Sequence, residues 1–152
     1  MGAISESRRI NQRGEVVIDV LKDMTRFQEW LPYSWGDLEP ITQTLIGKGA
    51  RSYLTIPALR LTIPSELEIT ELTPERVRWA IAIPPLNLGL IFHVLPDGDA
   101  TDLRLETTWR GSRLPPWRIR TQARLRLFQD QDVKAITKGI LDGLTKEAES
   151  RV

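Results

Sequence analysis

The stretch PPWRIRTQARLRLFQDQDVKAITKGILDGLTKEAESRV, residues 115–152, decides the fold of this chain. Pro115 and Pro116 suit the first turn of a helix, where a missing N–H costs no hydrogen bond, and no proline follows them. Apolar residues then recur mostly three to five positions apart, the spacing of one helix face. They are Leu125, Phe128, Val133, Ile136, Ile140 and Leu144. One long C-terminal helix is therefore predicted, and its apolar stripe needs a large surface to pack against.

That surface is predicted to be a sheet, because the chain before the helix alternates apolar and polar residues. The clearest strand is 76–83, and others are predicted at 50–56, 66–70, 88–95 and 103–110. Turns are expected at 73–75 and 96–99, where proline, glycine and aspartate cluster. Pro57 and Pro64 bracket a piece that is either a continued edge strand or a long hairpin tip, since proline is confined to edges and bulges.

The N-terminal third predicts a strand over Ala3–Ile10 and then two short helices. Apolar residues recur at three and four from Val17 to Leu31, and Pro32 stops the run. A helix cap near Asp23 predicts a bend at Lys22–Asp23. The glycines in Gly47-Lys48-Gly49 predict a hairpin turn between a strand ending near Ile46 and one starting near Ala50.

This order predicts an α+β fold over residues 1–152 as one domain. Consecutive hairpins make an antiparallel sheet of about six to seven strands, and a curved sheet buries the long helix on its concave side. If the sheet curls enough, helix and sheet cannot touch everywhere. The remaining gap is a predicted pocket.

Composition narrows the class of protein. The chain has no cysteine and one histidine, His93, so no disulfide, thiol nucleophile or thiolate zinc site is possible, and neither metal nor cofactor is expected. The net charge of +1 argues against a general nucleic-acid binder. No apolar run long enough to span a bilayer is present, and the first ten residues lack the apolar core of a secretory signal. A cytoplasmic location is expected.

Three segments resemble the helix-grip superfamily of START-like lipid-binding proteins, birch-pollen-allergen relatives and polyketide cyclase/dehydrase-like proteins. They are VxDVLxDMxRFxEWLP at Val17–Pro32, ITELTPERVRW at Ile69–Trp79 and PDGDATDLRLETTWRG at Pro96–Gly111. The motifs are structural, and none is a catalytic signature, so the resemblance bears on fold more than on activity. It implies a hydrophobic or amphipathic small molecule held between the sheet and the last helix.

Candidate ligand-binding residues come from the apolar faces of the strands and from one face of the helix. The strand candidates are Leu67, Ile69, Trp79, Ile81, Leu105 and Trp109, and the helix candidates are Leu125, Phe128, Gln129, Asp132, Ile136, Gly139 and Gly143. Tryptophan side chains line pockets for flat ligands but equally fill cores. Glycine inside a helix costs about 1 kcal/mol relative to alanine. Gly139 and Gly143 therefore leave room either for a ligand or for close packing of the helix.

Three polar or charged features have open readings. His93 suits acid–base chemistry, but it lies in a strand with apolar neighbours on both sides, so the face it occupies is undetermined. Asp132 on an apolar face needs an arginine, a ligand group or water. Seven arginines stand against one acid between Arg104 and Arg126. Such a patch suits an acidic partner at Arg113, Arg118, Arg120 and Arg124, or is simply a solvated surface.

The leading hypothesis is a domain that binds a hydrophobic or aromatic, lipid- or polyketide-like molecule, as a monomer or homodimer. A second hypothesis is an aromatase/cyclase-type enzyme in which His93, or Asp132 with an arginine, steers proton transfer. A third is a protein-interaction module that uses the arginine patch. No catalytic residue is assigned from the sequence.

Overall fold

The protein is described by a computed structural model that covers residues 2–32, 35–58, 61–83, 86–111 and 130–151. Its seven strands form one antiparallel sheet in the order β1-β7-β6-β5-β4-β3-β2. They are β1 (Gly2–Ile10), β2 (Glu39–Pro40), β3 (Arg51–Ala58), β4 (Leu61–Leu72), β5 (Arg76–Ile83), β6 (Leu86–Asp97) and β7 (Ala100–Gly111). Apart from β1, which pairs with β7, each strand pairs with a neighbour along the chain. The predicted α+β fold with a curved antiparallel sheet is confirmed.

In the described ranges, three helices accompany the sheet. They are α1 (Gly14–Lys22), a 3₁₀ helix (Met24–Glu29) and the C-terminal helix α2 (Asp130–Ser150). The bend predicted at Lys22–Asp23 is confirmed, and the carboxylate of Asp23 accepts a hydrogen bond of 3.2 Å from the backbone N–H of Thr25. The part of the predicted C-terminal helix between residues 112 and 129 lies outside the described residues.

The predicted hairpin around Gly47-Lys48-Gly49 is wrong. Ile46 forms only an isolated bridge with Asp23, and the Gly47 N–H donates to the carbonyl of Lys22 at 2.9 Å. The partner of β3 on this side is the two-residue strand β2, where Glu39 lies opposite Tyr53. Gly47 and Gly49 both have φ of +91°, which glycine adopts without strain. This turn therefore closes the end of α1 rather than joining two strands.

The two prolines lie within one long hairpin. Pro57 is opposite Thr62 and Pro64 is opposite Thr55, so β3 and β4 continue through both positions. The β2–β3 ladder reaches only Ser52 and Tyr53, and the β4–β5 ladder begins at Glu66. Each proline thus has a ladder on one side of its strand only in the described structure, as the missing N–H requires.

The core fills the space between the inner face of the sheet and the helices. Alternate residues of β5 and β6 are buried, and α2, which packs against β1, α1 and β7, adds five fully buried apolar side chains to the core. These are Val133, Ile140, Leu141, Leu144 and Ala148. Ile136, part of the predicted stripe, is only partly buried against this core.

A buried pair of threonines joins α2 to the sheet. The hydroxyl oxygens of Thr107 in β7 and Thr137 in α2 are 2.9 Å apart, and the Thr137 hydroxyl also bonds the carbonyl of Val133 at 2.8 Å. The Thr137 proton goes to that carbonyl, because a carbonyl cannot donate. The Thr107 hydroxyl is therefore the donor between the two. Both side chains are fully buried.

This donor order predicts unequal effects of removing the two hydroxyls. Thr107→Val removes only the donated bond and should cost about 0.5–1.5 kcal/mol of unfolding free energy. Thr137→Val leaves the Thr107 O–H without its acceptor and should cost about 1–3 kcal/mol. The double variant should lose less than the sum of the two. Urea denaturation of all four proteins measures this, and equal single effects that add fully would contradict the assignment.

Candidate functional site

Trp79 stands at the centre of an aromatic cluster between the sheet and the short helices. Its ring centre lies 4.8 Å from those of Phe27 and Phe92 and 5.8 Å from that of Trp30. Its indole N–H donates to the carbonyl of Leu21 at 3.3 Å. The side chain has no accessible surface. Trp79 therefore joins the sheet to α1 and the 3₁₀ helix, and its own polar atom is already satisfied.

The apolar strand candidates face the same interior. Leu67, Ile69, Ile81 and Leu105 are all buried to within 1%. Trp109 is on the inner face of β7 but is only half-buried. Its ring lies over Gly2 of β1, where a Cβ would come within 2.1 Å of the indole. The inner wall is thus closed around Trp79 and more open at Trp109.

Near the start of α2, Asp132 and Ile136 keep part of their surface exposed, whereas Val133 and Thr137 beside them, and Ile140 and Leu144 further along, are fully buried. Arg8 of β1 pairs with Asp142, and the Asn11 N–H bonds Glu149, so β1 and α2 run side by side in one direction. The helix candidates Leu125, Phe128 and Gln129 lie outside the described residues.

Gly143 does not leave room for a ligand, and Gly139 faces the ring of Pro32. A Cβ on Gly143 would stand 2.0 Å from the carbonyl oxygen of Trp30, and one on Gly139 would stand 3.2 Å from Cγ of Pro32. The prediction of ligand space at these two glycines is therefore wrong for Gly143 and unsupported for Gly139. Both glycines let α2 approach the segment after the 3₁₀ helix, rather than the sheet.

Several residues of this interior are not among the ligand-binding candidates that the sequence suggested. Phe27, Trp30 and Phe92 build the cluster around Trp79, and Thr107 and Thr137 supply its buried polar pair. The segment EWLP that ends the second helix already contained Trp30. For Thr107, the available sequence signal was a hydroxyl side chain in the alternating row of residues of β7 that is otherwise apolar.

His93 lies on the convex face of the sheet. Its neighbours Phe92 and Val94 are buried on the inner face, so the side chain of His93 points away from the interior. Its Nε2 atom is 3.5 Å from a carboxylate oxygen of Glu106. Arg76 and Arg104 lie opposite it on the two adjacent strands. The expectation that His93 steers proton transfer in an internal pocket is therefore wrong.

The arginine patch is only partly described. Arg104 and Arg110 are exposed on the outer side of β7. Arg113, Arg118, Arg120 and Arg124 lie outside the described residues, so an acidic partner there stays a prediction. The two described arginines with a raised pKa lie elsewhere: the hydrogen bond that Arg9 donates to Asp97 raises the pKa of Arg9, and the one that Arg51 donates to Glu66 raises that of Arg51.

A surface cleft of about 520 Å³ lies on the outer side of α1. The turns that follow β4 and β6 form its other walls, with Leu72, Pro74 and Pro96 beside Ile18 of α1. The rim of the cleft carries side chains of both charges, and Lys22 forms an ion pair of 3.0 Å with Asp19 there. The cleft is open to solvent and separate from the aromatic cluster, and no sequence motif pointed to it.

Within the described ranges, no three His, Asp or Glu side chains are grouped so that they could hold a metal ion. No helix in the part of the chain that the structure describes is both long enough and apolar enough to cross a membrane.

The profile of the family described as polyketide cyclase / dehydrase and lipid transport matches residues 1–149. The chain belongs to this family. No curated protein sequence is significantly similar to it.

Solved structures with the same fold include proteins with different printed roles. Zhui aromatase/cyclase from Streptomyces sp. R1128 has a TM-score of 0.75 at 15% identity, covering 99% of this chain and 94% of that one. Truncated norcoclaurine synthase from Thalictrum flavum has a TM-score of 0.70 at 13% identity, covering 99% and 95%. Ara h 8.0201 has a TM-score of 0.70 at 12% identity, covering 99% of both. At these identities the likeness establishes the helix-grip fold alone.

The contact at Gly143 predicts a loss of stability on adding a single methyl group. Gly143→Ala should lower the melting temperature markedly, because the new Cβ meets a backbone carbonyl that cannot rotate away. Gly139→Ala is the matched control. The Pro32 ring needs to shift by only a few tenths of an ångström, and the better helix propensity of alanine contributes up to about 1 kcal/mol. A thermal melt of both variants decides, and an unchanged melting temperature for Gly143→Ala would contradict the close contact.

The outward position of His93 predicts that the interior does not need it. His93→Gln should leave the affinity for the neutral fluorescent probe N-phenyl-1-naphthylamine within a few-fold of the parent and change stability modestly. Fluorescence titration measures the affinity. A large loss of probe binding in a folded His93→Gln protein would place this side chain in the binding path after all.

Proposed function

We propose that the protein binds a hydrophobic or aromatic small molecule, lipid-like or polyketide-like, between the inner face of the sheet and α2. One observation carries the proposal. The interior is closed around Trp79, yet Trp109 on the inner face of β7, and Asp132 and Ile136 near the start of α2, keep accessible surface. A molecule enclosed between the helix and the sheet would enter at this end.

These half-buried residues belong to one end of the interior. β7 is antiparallel to β1, and β1 runs alongside α2 in the same direction. Moving along β7 from Thr107, which bonds Thr137, to Trp109 therefore leads toward the start of α2. Asp132 and Ile136 lie there. The half-buried residues of the strand and of the helix thus point to the same opening.

The chemistry of these walls suits an apolar ligand with few polar groups. Ligand pockets are typically lined by apolar and aromatic side chains, with a small number of polar groups that fix orientation. Trp109 and Ile136 supply the apolar surface, and Asp132 is the polar group nearest to the opening. The family to which the chain belongs includes lipid transport in its description, which agrees with such a ligand.

An aromatase/cyclase-type activity is the less favoured alternative. It draws support from the fold that the chain shares with Zhui aromatase/cyclase. Of its two candidate proton-transfer groups, however, His93 faces outward, which leaves Asp132. Binding requires only the apolar walls, so it is the function that the site supports best. A single domain and a cytoplasmic location stay predictions.

Native mass spectrometry of the purified protein tests the proposal directly. We expect a co-purified apolar molecule, or a one-to-one complex with added N-phenyl-1-naphthylamine. A protein that carries no such molecule and takes up no probe at concentrations near its solubility limit would overturn the binding function.

Filling the proposed opening should block the probe. Ile136→Trp adds bulk on the half-buried side of α2 and should weaken the binding of N-phenyl-1-naphthylamine at least ten-fold. Ala135→Trp adds the same side chain to the exposed side of the same helix and should leave binding within two-fold. Fluorescence titration compares them, and a melt checks that both fold. Equal effects of the two variants would mean that the probe binds elsewhere.

A further inference from the structure

The edge strand β1 offers a free backbone ladder beside α2. β1 spans nine residues and pairs only with β7, which places it at the end of the described sheet. The second edge, β2, is only two residues long. A long edge strand presents unpaired N–H and C=O groups that suit another strand. Which strand can pair with β1 depends on the charges of the β1 side chains.

Opposite charges lie two residues apart on the inner side of β1. Glu6 and Arg8 are both half-buried, whereas Ser5, Ser7 and Arg9 are exposed on the other side. Arg8 pairs with Asp142 of α2. Glu6 makes no ion pair with any residue that the structure describes.

We propose that β1 pairs with β1 of a second copy, antiparallel and centred on Ser7. A two-fold axis at Ser7 places Glu6 of each copy opposite Arg8 of the other. Shifting the centre to residue 6 would oppose two glutamates, and shifting it to residue 8 would oppose two arginines. Like charges directly opposite each other destabilise a strand pair, and unlike charges stabilise it. Of the three registers centred on residues 6, 7 and 8, only the one centred on Ser7 places unlike charges opposite each other.

The neighbouring surface of α2 repeats the same charge pattern. Two strand residues advance roughly 6.6 Å, and four helix residues advance about 6 Å. Since Arg8 pairs with Asp142, this spacing puts Lys138, one turn earlier on α2, at about the level of Glu6, although the two form no ion pair within one copy. Across the axis, Glu6 and Lys138 of one copy then face Arg8 and Asp142 of the other. The four charges alternate in sign and sum to zero.

The opposing possibility is that the charges protect the edge. Inward-pointing charged residues are one device by which natural edge strands avoid pairing. In that case the chain stays monomeric at every concentration. Charge reversal distinguishes the two cases. If β1 pairs with β1 of a second copy, the effect of a substitution at Glu6 depends on the residue at position 8 of the other copy. If the edge stays unpaired, it does not.

A charge-reversal exchange tests the register. Glu6→Arg and Arg8→Glu each place like charges across the axis, so each variant alone should dimerise at least ten-fold more weakly than the parent. An equal mixture of the two restores both unlike pairs and should form heterodimers with an affinity within a few-fold of the parent. Sedimentation velocity at low salt and high protein concentration measures this. A mixture that stays monomeric, or a parent chain that does, overturns the proposal.

A disulfide test keeps the proposal falsifiable if Arg8→Glu does not fold without its pair to Asp142. The chain has no cysteine, so Ser7→Cys introduces a single thiol at the axis, within the Cα separation that a disulfide tolerates. Ser5→Cys lies on the same exposed side, but its thiol would be four residues along the paired strands, roughly 13 Å, from the equivalent thiol of the other copy. Under mild oxidation Ser7→Cys should cross-link at least ten-fold faster than Ser5→Cys. Equal rates would overturn the pairing.

Discussion

The contact between Gly143 and the carbonyl of Trp30 is the constraint on which the rest of the structure depends. A side chain at residue 143 would stand 2.0 Å from that oxygen, so only glycine lets α2 lie this close to the segment after the 3₁₀ helix. Trp30 in turn packs on Phe27 and Trp79. The helix, the short helices and the middle of the sheet are therefore joined at one point, and the cost of glycine in a helix, about 1 kcal/mol, is offset by the packing it permits.

The proposed ligand site lies toward the other end of α2, away from this tightly packed point. A helix held at Gly143 and bonded to the sheet through Thr137 has a fixed distance from β7. Toward its start, Ile136 and Asp132 lie beyond these contacts and keep accessible surface. α2 packs on the core through buried residues in both halves, Val133 and Thr137 included, while the proposed ligand site uses the half-buried Asp132 and Ile136.

Sequence patterns predicted the strands and helices in which burial repeats with a regular period. They missed contacts between residues that lie far apart in the chain. Alternation of period two identified β5 and β7, because burial on one face forces it. The turn at Gly47 was misassigned because its hydrogen-bond partner, Lys22, lies far away in the chain. Glycine spacing showed that room is needed on α2, but only the folded chain shows that Trp30 fills it. His93 was ambiguous because residues on both sides of its strand are apolar, and burial of Phe92 resolved it.

Ligand binding and self-association would use opposite sides of α2. Ile136 and Lys138 are two residues apart, which is roughly 200° around a helix, so the half-buried side and the side next to β1 face away from each other. Any coupling between them would have to pass through movement of the whole helix. Because Gly143 is locked against a backbone carbonyl, such movement would break the contact that holds the core together. The two surfaces are therefore energetically separate, and a substitution on one leaves the other as its internal control.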